Sequence, residues 1–114
     1  MNNDQTLTQR TCKPCEGGTE PLASDVAKTL VSQIKGWTIS DDGTTITKRF
    51  EFKGFYKTMA FINAMAWVAN QENHHPDFEA GYHYVIVHFT THAIGGLSEN
   101  DFICAAKIDA LISE

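Results

Sequence analysis

The feature that most constrains the fold is residues 55–73, a stretch that contains neither Gly nor Pro and is rich in Ala, Met and Phe. Its apolar side chains recur at helical spacing in two adjacent stripes: Phe55, Met59, Ile62, Ala66 and Ala69, and beside them Phe61, Met65 and Val68. Stripes this wide predict a helix that is covered on most of its surface. Because one small domain rarely provides so much cover, the sequence also predicts an oligomer, at least a dimer.

The helix is predicted to end at a pair of histidines. Pro76 disfavours the helical conformation for the residue before it, so the helix should end near Asn73 or His74. His74 and His75 would point about 100° apart on a helix and to opposite faces on a strand. Both can serve one pocket only where the backbone turns. We therefore expect two imidazoles at a corner, with neither deep in the core.

The rest of the chain alternates between helix and strand patterns. A first helix is predicted from Ser24 to about Lys35, and a third from a capping box at Ser98 and Asp101 to about Ser113. The third helix is predicted to bury Phe102, Ala105, Ile108, Leu111 and Ile112. Strand patterns occupy residues 37–39, 45–52, a short segment around residue 78, and residues 82–91.

This α-β-β-α-β-β-α order predicts an α+β fold, a four-stranded antiparallel sheet with three helices on one face. The pattern at residues 82–91 is apolar on both sides, which indicates a central strand or a subunit junction. Residues 1–22 are rich in Thr, Asn, Gly, Pro and Cys and show no period. They predict an irregular N-terminal arm, followed by a single domain over residues 23–114.

Cys12 and Cys15 form a single Cys-x-x-Cys pair in this arm, and Cys104 stands alone on an apolar helix face. A structural zinc site normally uses four ligands, so the pair supplies only half a set. A mobile arm that carries two thiols is the favoured interpretation, with metal or redox use as the alternative. Cys104 is predicted to be a core residue.

Composition narrows the classes of function. The 114 residues suit one domain, and the shares of hydrophobic residues (42%) and charged residues (20%) are ordinary for a globular protein. The net charge of −5 comes without a basic stripe, which argues against direct nucleic-acid binding. No apolar run approaches the ~18 residues of a membrane span, and no secretory signal is visible, so we expect a cytoplasmic protein without a membrane partner.

Three histidines, His74, His75 and His92, offer chemistry that suits neutral pH. Histidine titrates near pH ~6.5, so a pair at a corner can donate and accept protons. Three imidazoles could instead bind zinc, or serve structure or binding, and the residues alone leave these alternatives open. Adjacent histidines diverge, which makes joint ligation of one ion awkward. His83 and His88 alternate along a strand and are interpreted as surface or interface residues.

The spacing of these histidines resembles the signature of the pterin-4a-carbinolamine dehydratase family. The shared pattern is His74-His75-Pro76, five residues, Tyr82, nine residues, His92, eight residues and Asp101. Further features that fit are Trp37, Phe50-x-Phe52 followed by Phe55, Thr91-His92, Gly96-Leu97 and Asp101-Phe102. The resemblance runs from about Ala23 to the C-terminus and implies a single dehydratase-like domain. The arm is similar to the extension of some bacterial members.

The resemblance implies a hydro-lyase that removes water from a 4a-hydroxytetrahydropterin to give a quinonoid dihydropterin in tetrahydropterin recycling. Acid–base groups suffice for this reaction, so it implies neither a metal nor a redox cofactor. By position, His74 would protonate the leaving hydroxyl, His75 would hold the pterin ring, and His92 would act from the opposite side. The implied substrate contacts are His74, His75, Pro76, Thr91, His92, Ala93 and Ile94.

The resemblance also implies partners: the pterin substrate, further copies of the chain in a homodimer or homotetramer, and functional coupling to an aromatic amino acid hydroxylase. Two alternatives remain open. One is a protein-interaction or coactivator-type module on the same fold, and the other is a histidine metal-binding protein. Because the matched motif starts after the arm, activity is expected to survive removal of the arm.

Overall fold

A computed structural model describes residues 6–14 and 19–112 of the chain. Over these residues three helices and four strands follow one another in the predicted order. They are α1 (Ser24–Val31), β1 (Thr38–Ile39), β2 (Ile46–Glu51), α2 (Phe55–Glu72), β3 (Asp77–Ala80), β4 (Tyr84–Phe89) and α3 (Glu99–Ala110). The predicted fold class, a four-stranded antiparallel sheet with three helices, is confirmed.

The strand order in the sheet is β1-β2-β4-β3, and every neighbouring pair is antiparallel. β4 is an inner strand, as its apolar sequence predicted. Val85, Val87 and Phe89 on one face of β4 are fully buried in the core formed with the helices. Ile86 and His88 on the other face are half-buried. The core therefore lies on one side of the sheet.

α2 buries residues from each of its two apolar stripes. Phe61, Met65 and Ala69 are buried against the sheet and α3. Apart from Ala69, the stripe that begins at Phe55 is only partly covered, since Phe55 is 53% exposed, and the neighbouring Trp67 is 65% exposed. The described residues of one chain therefore do not cover most of the α2 surface. The sheet and α3 reach one side of α2 only.

Two helix ends differ from the predicted boundaries. α1 ends at Val31 rather than near Lys35, and tight turns lead to Gly36, whose φ of +87° favours glycine. α3 ends at Ala110, and Leu111 and Ile112 are 41% and 44% exposed rather than buried. These two side chains lie on a surface groove beside α2 instead of beneath it.

The described part of the arm packs against the domain. A 3-10 turn at Leu7–Gln9 lies on α3, and Leu7 joins the hydrophobic core at 4% exposure. Arg10 pairs with Glu99 in the first turn of α3. Cys15 of the predicted Cys-x-x-Cys pair lies outside the described residues, and the division into an arm and a domain stays a prediction. No helix in the described ranges is long and apolar enough to cross a membrane.

Candidate active site

His74 is placed by the end of α2. Asn73 adopts the left-handed conformation, with φ 53° and ψ 42°, and ends the helix where the sequence predicted. The next residue, His74, donates its backbone N–H to Ala69 O and turns its ring onto Phe89, with centroids 5.9 Å apart and planes within 9°. The His74 side chain is only 12% exposed. His74 is therefore outside the buried core, as expected, but it is less accessible than His75 because Phe89 of β4 lies beneath its ring.

The buried carboxylate of Asp101 holds the His74 ring. His74 Nε2 lies 2.6 Å from Asp101 Oδ1, and Asp101 is fully buried. The other oxygen, Oδ2, accepts from Thr91 Oγ1 at 2.8 Å and from the backbone N–H of Ser98 at 3.0 Å. The predicted capping box at Ser98 and Asp101 is confirmed. The capping pattern does not itself predict that this carboxylate also binds a histidine.

These hydrogen bonds fix which nitrogen of His74 can act. An ionised carboxylate only accepts hydrogen bonds, so His74 Nε2 carries a proton and its N–H donates a hydrogen bond to Asp101. Among the described residues no side-chain nitrogen or oxygen is buried without a hydrogen-bond partner. His74 Nδ1 takes no hydrogen bond from those residues, so it reaches accessible space. The imidazole thus has one anchored nitrogen and one that is available for chemistry.

A cavity of about 570 Å³ lies in front of His74, and we call it the histidine cavity. This volume is in the range of sites that bind small molecules. The predicted site residues that line the cavity are His74, His75, Thr91, His92 and Ala93. Pro76 and Ile94, the other two predicted contacts, are not part of its wall. The structure therefore brings all three candidate catalytic histidines onto one cavity, from the end of α2 and the turn after β4.

His75 and His92 are much more accessible than His74. The His92 side chain is 77% exposed, and its Nε2 lies 3.8 Å from Asp77 Oδ2 at the start of β3. His75 is also exposed. An exposed ion pair of this length contributes little to stability. These two side chains are therefore available to a ligand without disturbing the core.

The N-terminal arm forms a wall of the histidine cavity, which sequence reasoning missed. Cys12, Lys13 and Pro14 line it beside Glu72 and Asn100. No local pattern in the arm signals this position, because it arises from contacts with distant parts of the chain. The contacts favour a role of the arm in the site, against the expectation that activity survives its removal, which stays untested.

Glu72 and Cys12 join the arm to the end of α2. Glu72 Oε1 accepts the backbone N–H of Cys12 at 2.9 Å, and Oε2 binds Lys107 Nζ at 2.6 Å. Burial acts to raise the pKa of the Glu72 carboxyl, but these hydrogen bonds and the charge of Lys107 outweigh it and hold the pKa below its usual range. Cys12 Sγ lies 3.6 Å from Cys104 Sγ, and Cys104 is a core residue as predicted. The hydrogen bond with the free thiol of Cys104, burial and nearby Glu72 raise the pKa of the Cys12 thiol well above its usual range.

Comparison with known proteins assigns the chain to a family. The family model for pterin 4 alpha carbinolamine dehydratase matches residues 20–111. The chain belongs to that family. A protein of Nitrosomonas eutropha, provisionally named a pterin-4-alpha-carbinolamine dehydratase, is 55% identical over 113 residues and is matched over 98% of both chains. A Legionella pneumophila protein with the same provisional name is 53% identical, over 93% of this chain and 95% of its own.

Two solved structures of pterin dehydratase relatives share the fold. The first, a transcriptional coactivator/pterin dehydratase from Brucella melitensis, has a TM-score of 0.79 and 29% identity, covering 82% of this chain and 100% of that one. The second is a pterin dehydratase-like protein identified as a RuBisCO assembly factor in the alpha-carboxysome. It has a TM-score of 0.61 and 28% identity, covering 69% of this chain and 92% of that one.

In this dehydratase-family chain, Tyr82 of the family pattern and the strand residue His88 lie away from the cavity. Tyr82 is 69% exposed and stacks on Phe55 at 6.1 Å. His88 lies between Thr47 Oγ1, 2.9 Å from its Nδ1, and Glu79 Oε2, 3.1 Å from its Nε2. Tyr82 and His88 therefore contribute to the surface and to the outer face of the sheet, and His88 provides a matched control for the cavity histidines.

The described residues hold no group of three or more His, Cys, Asp or Glu side chains arranged to bind a metal ion. His74 directs one nitrogen to Asp101, and His92 lies near Asp77. His74 and His92 thus face different neighbours, and His75 is exposed. This arrangement suits separate proton-transfer and binding roles better than joint ligation.

Proposed function

We propose that this protein is a hydro-lyase that dehydrates a 4a-hydroxytetrahydropterin to a quinonoid dihydropterin. Its family supports the substrate class. The observation that carries the proposal is His74, whose Nε2 is anchored to the buried Asp101 and whose ring lines a cavity large enough for a bicyclic ligand. A positioned imidazole at such a cavity is suited to general acid–base catalysis.

The reaction breaks the C4a–O bond and forms a C4a=N5 double bond. Hydroxide is a poor leaving group, so His74 in its protonated form donates the Nδ1 proton to the departing oxygen, which leaves as water. The bonding electrons of N5–H become the C4a=N5 bond as that proton leaves. Asp101 keeps the other proton on Nε2 throughout and holds the ring in one orientation. The neutral imidazole that remains is reprotonated from solvent before the next turnover.

His75 and His92 serve the pterin from the exposed side of the cavity. Both line the cavity and neither is buried, so each can reorient toward a ring without a penalty in the core. We assign His75 to holding or polarising the pterin ring and His92 to orienting the substrate from the opposite side. The N5 proton passes to one of these imidazoles or to water. Thr91, in contrast, acts through Asp101, since its hydroxyl donates to that carboxylate.

The exposed aromatic surface supports an oligomer. Tyr56 is 90% exposed, and Phe55, Trp67 and Tyr82 are all more than half exposed. Apolar surface of this kind commonly covers a second copy. We propose a homodimer or homotetramer, which light scattering at micromolar concentration would measure.

An aromatic amino acid hydroxylase would be the functional partner, because its reaction leaves the 4a-hydroxylated pterin.

The test is a dehydration assay with a freshly generated 4a-hydroxytetrahydropterin, in which the enzyme must exceed the spontaneous rate. The expected result is saturable turnover by the wild type and by His88→Ala, and turnover near background for His74→Ala. A folded wild type that does not exceed background contradicts the proposal. That outcome would favour an interaction role, such as the names of the two structural relatives describe for those proteins.

A further inference from the structure

The arm brings a single cation into the wall of the histidine cavity. Among the described residues that line this cavity, Lys13 is the only Lys or Arg. Lys13 is exposed, and none of the described carboxylates pairs with its ammonium group. The carboxylate that lines the same cavity, Glu72, already binds Lys107 and the backbone of Cys12. Lys13 therefore has a positive charge to offer to a ligand in this space.

The backbone of Lys13 is held from both sides by one buried side chain. Its N–H donates to Asn100 Oδ1 at 3.0 Å, and its carbonyl oxygen accepts from Asn100 Nδ2 at 2.5 Å. Asn100 is only 7% exposed and sits in the first turn of α3. A pair of hydrogen bonds from one amide fixes both the position and the orientation of the peptide it binds. The backbone of Lys13 therefore has a fixed position, although the residue belongs to an otherwise irregular segment.

The same turn of α3 also fixes His74. Asn100 binds Lys13, and the next residue, Asp101, binds His74. A second link runs through Glu72, which accepts the N–H of Cys12 and lies two residues before His74. The arm is consequently attached to the two elements that place the imidazole, the end of α2 and the start of α3. Lys13 and His74 are held in one frame, on one cavity.

We propose that Lys13 is a substrate-binding residue, whose ammonium group donates to an oxygen or nitrogen acceptor on the edge of the pterin. This inference rests on the proposed function for the identity of the ligand. A tetrahydropterin offers the C4 carbonyl oxygen next to the reacting C4a carbon as such an acceptor. An ammonium group that binds there orients C4a toward the wall that carries His74. The family model begins at residue 20, so Lys13 lies outside the residues that it matches.

The experiment compares Lys13→Met with Lys13→Arg and with Lys57→Met as a matched control. Lys57 is an exposed lysine in the first turn of α2 that does not line the cavity. A hydrogen bond from a charged donor supports an expected rise in KM of about tenfold for Lys13→Met, with kcat within about twofold. Lys13→Arg keeps the charge and should restore most of the affinity. Lys57→Met should match the wild type.

A binding measurement separates this inference from the proposed function. Titration with an unreactive tetrahydropterin, which lacks the 4a-hydroxyl group, is expected to show the same rise of about tenfold in Kd for Lys13→Met. Pterin binding without turnover by the wild type would overturn the proposed function, while the comparison of Kd values still tests Lys13. Equal Kd and KM for Lys13→Met and wild type, with equal melting temperatures, would overturn the role of Lys13.

Discussion

His74 Nε2 donates to Asp101 Oδ1 across 2.6 Å, although the two residues are 27 positions apart in the chain. His74 follows Asn73, the residue in the left-handed conformation that ends α2, and Asp101 caps the next helix, α3. The capping carboxylate of α3 therefore also orients the imidazole at the end of α2. This dual use ties the stability of a helix terminus to the geometry of the candidate active site.

Replacing His74 with alanine should reduce both turnover and stability. A positioned general acid contributes about 10²–10⁴-fold in rate. Removal of the ring also leaves an oxygen of the fully buried Asp101 without its donor, for an expected loss of about 1–3 kcal/mol in the free energy of unfolding. His75→Ala removes an exposed ring and should lose activity while stability changes by only about 0.5 kcal/mol. Dehydration rates and urea melts of both variants, beside His88→Ala, check this pattern. Equal rates for His74→Ala and His88→Ala would remove His74 from the mechanism.

Asp101→Asn should weaken the acid without removing the side chain. The amide oxygen must stay with its two donors, Thr91 and Ser98, so the amide N–H₂ faces His74 Nε2. His74 Nε2 then has to accept, and the ring remains a neutral imidazole with its proton on Nδ1. Turnover should fall toward that of His74→Ala, by about 10²–10⁴-fold.

Nitrogen NMR of the imidazole should report the change of tautomer in Asp101→Asn. The matched control is Asp109→Asn on the same helix, where the carboxylate binds Trp37 Nε1 at 3.0 Å and Lys48 Nζ at 3.0 Å, away from the cavity. That variant should lose stability and keep its rate per folded molecule. An unchanged His74 tautomer in Asp101→Asn, together with full activity, would contradict the assignment.

Acid should release the contact between the arm and α2. The pKa of Glu72 is lower in the folded protein than in the unfolded chain, so its contribution to stability is present above the unfolded pKa, about 4.3 for a glutamate. This contribution is lost as the pH falls through the folded pKa. Glu72→Gln keeps the shape but removes the charge that binds Lys107. The wild type should be more stable than Glu72→Gln at pH ~7, and the difference should shrink below pH ~4 in melts recorded across this range. A difference that grows with acid would refute the sign.

Cys12 should react slowly with alkylating agents in the folded protein. The thiolate is the reactive form of a cysteine. The hydrogen bond with Cys104, burial and the charge of Glu72 raise the pKa of the Cys12 thiol and so disfavour its thiolate. Mass-spectrometric mapping after brief treatment with iodoacetamide at pH ~8 should show Cys12 unmodified, and denaturant should expose it. Cys104→Ala removes the partner and should speed the reaction. Alkylation of Cys12 at the rate of a free thiol would show that the arm does not stay on α3.

Local patterns in the sequence sufficed for the elements and for the corner. The stretch without Gly or Pro, ended before Pro76, predicted α2 and its boundary, and the Ser98 box predicted the start of α3. The histidine spacing, through a family resemblance, predicted which imidazoles gather, and His74, His75 and His92 do line one cavity. These features depend on residues within a few turns of each other, or on a motif, so they can be recognised in one dimension.

Only the tertiary structure decided how the site is held. It showed that Asp101 binds His74, that Phe89 lies beneath the ring, and that the arm closes one wall through Asn100. The Lys13–Asn100 contact joins residues 87 positions apart, and no helical or strand period relates them. Such pairs form because buried polar groups must find partners wherever packing brings them together. Their identity therefore depends on the packed arrangement of the helices and the sheet, which a local pattern does not contain.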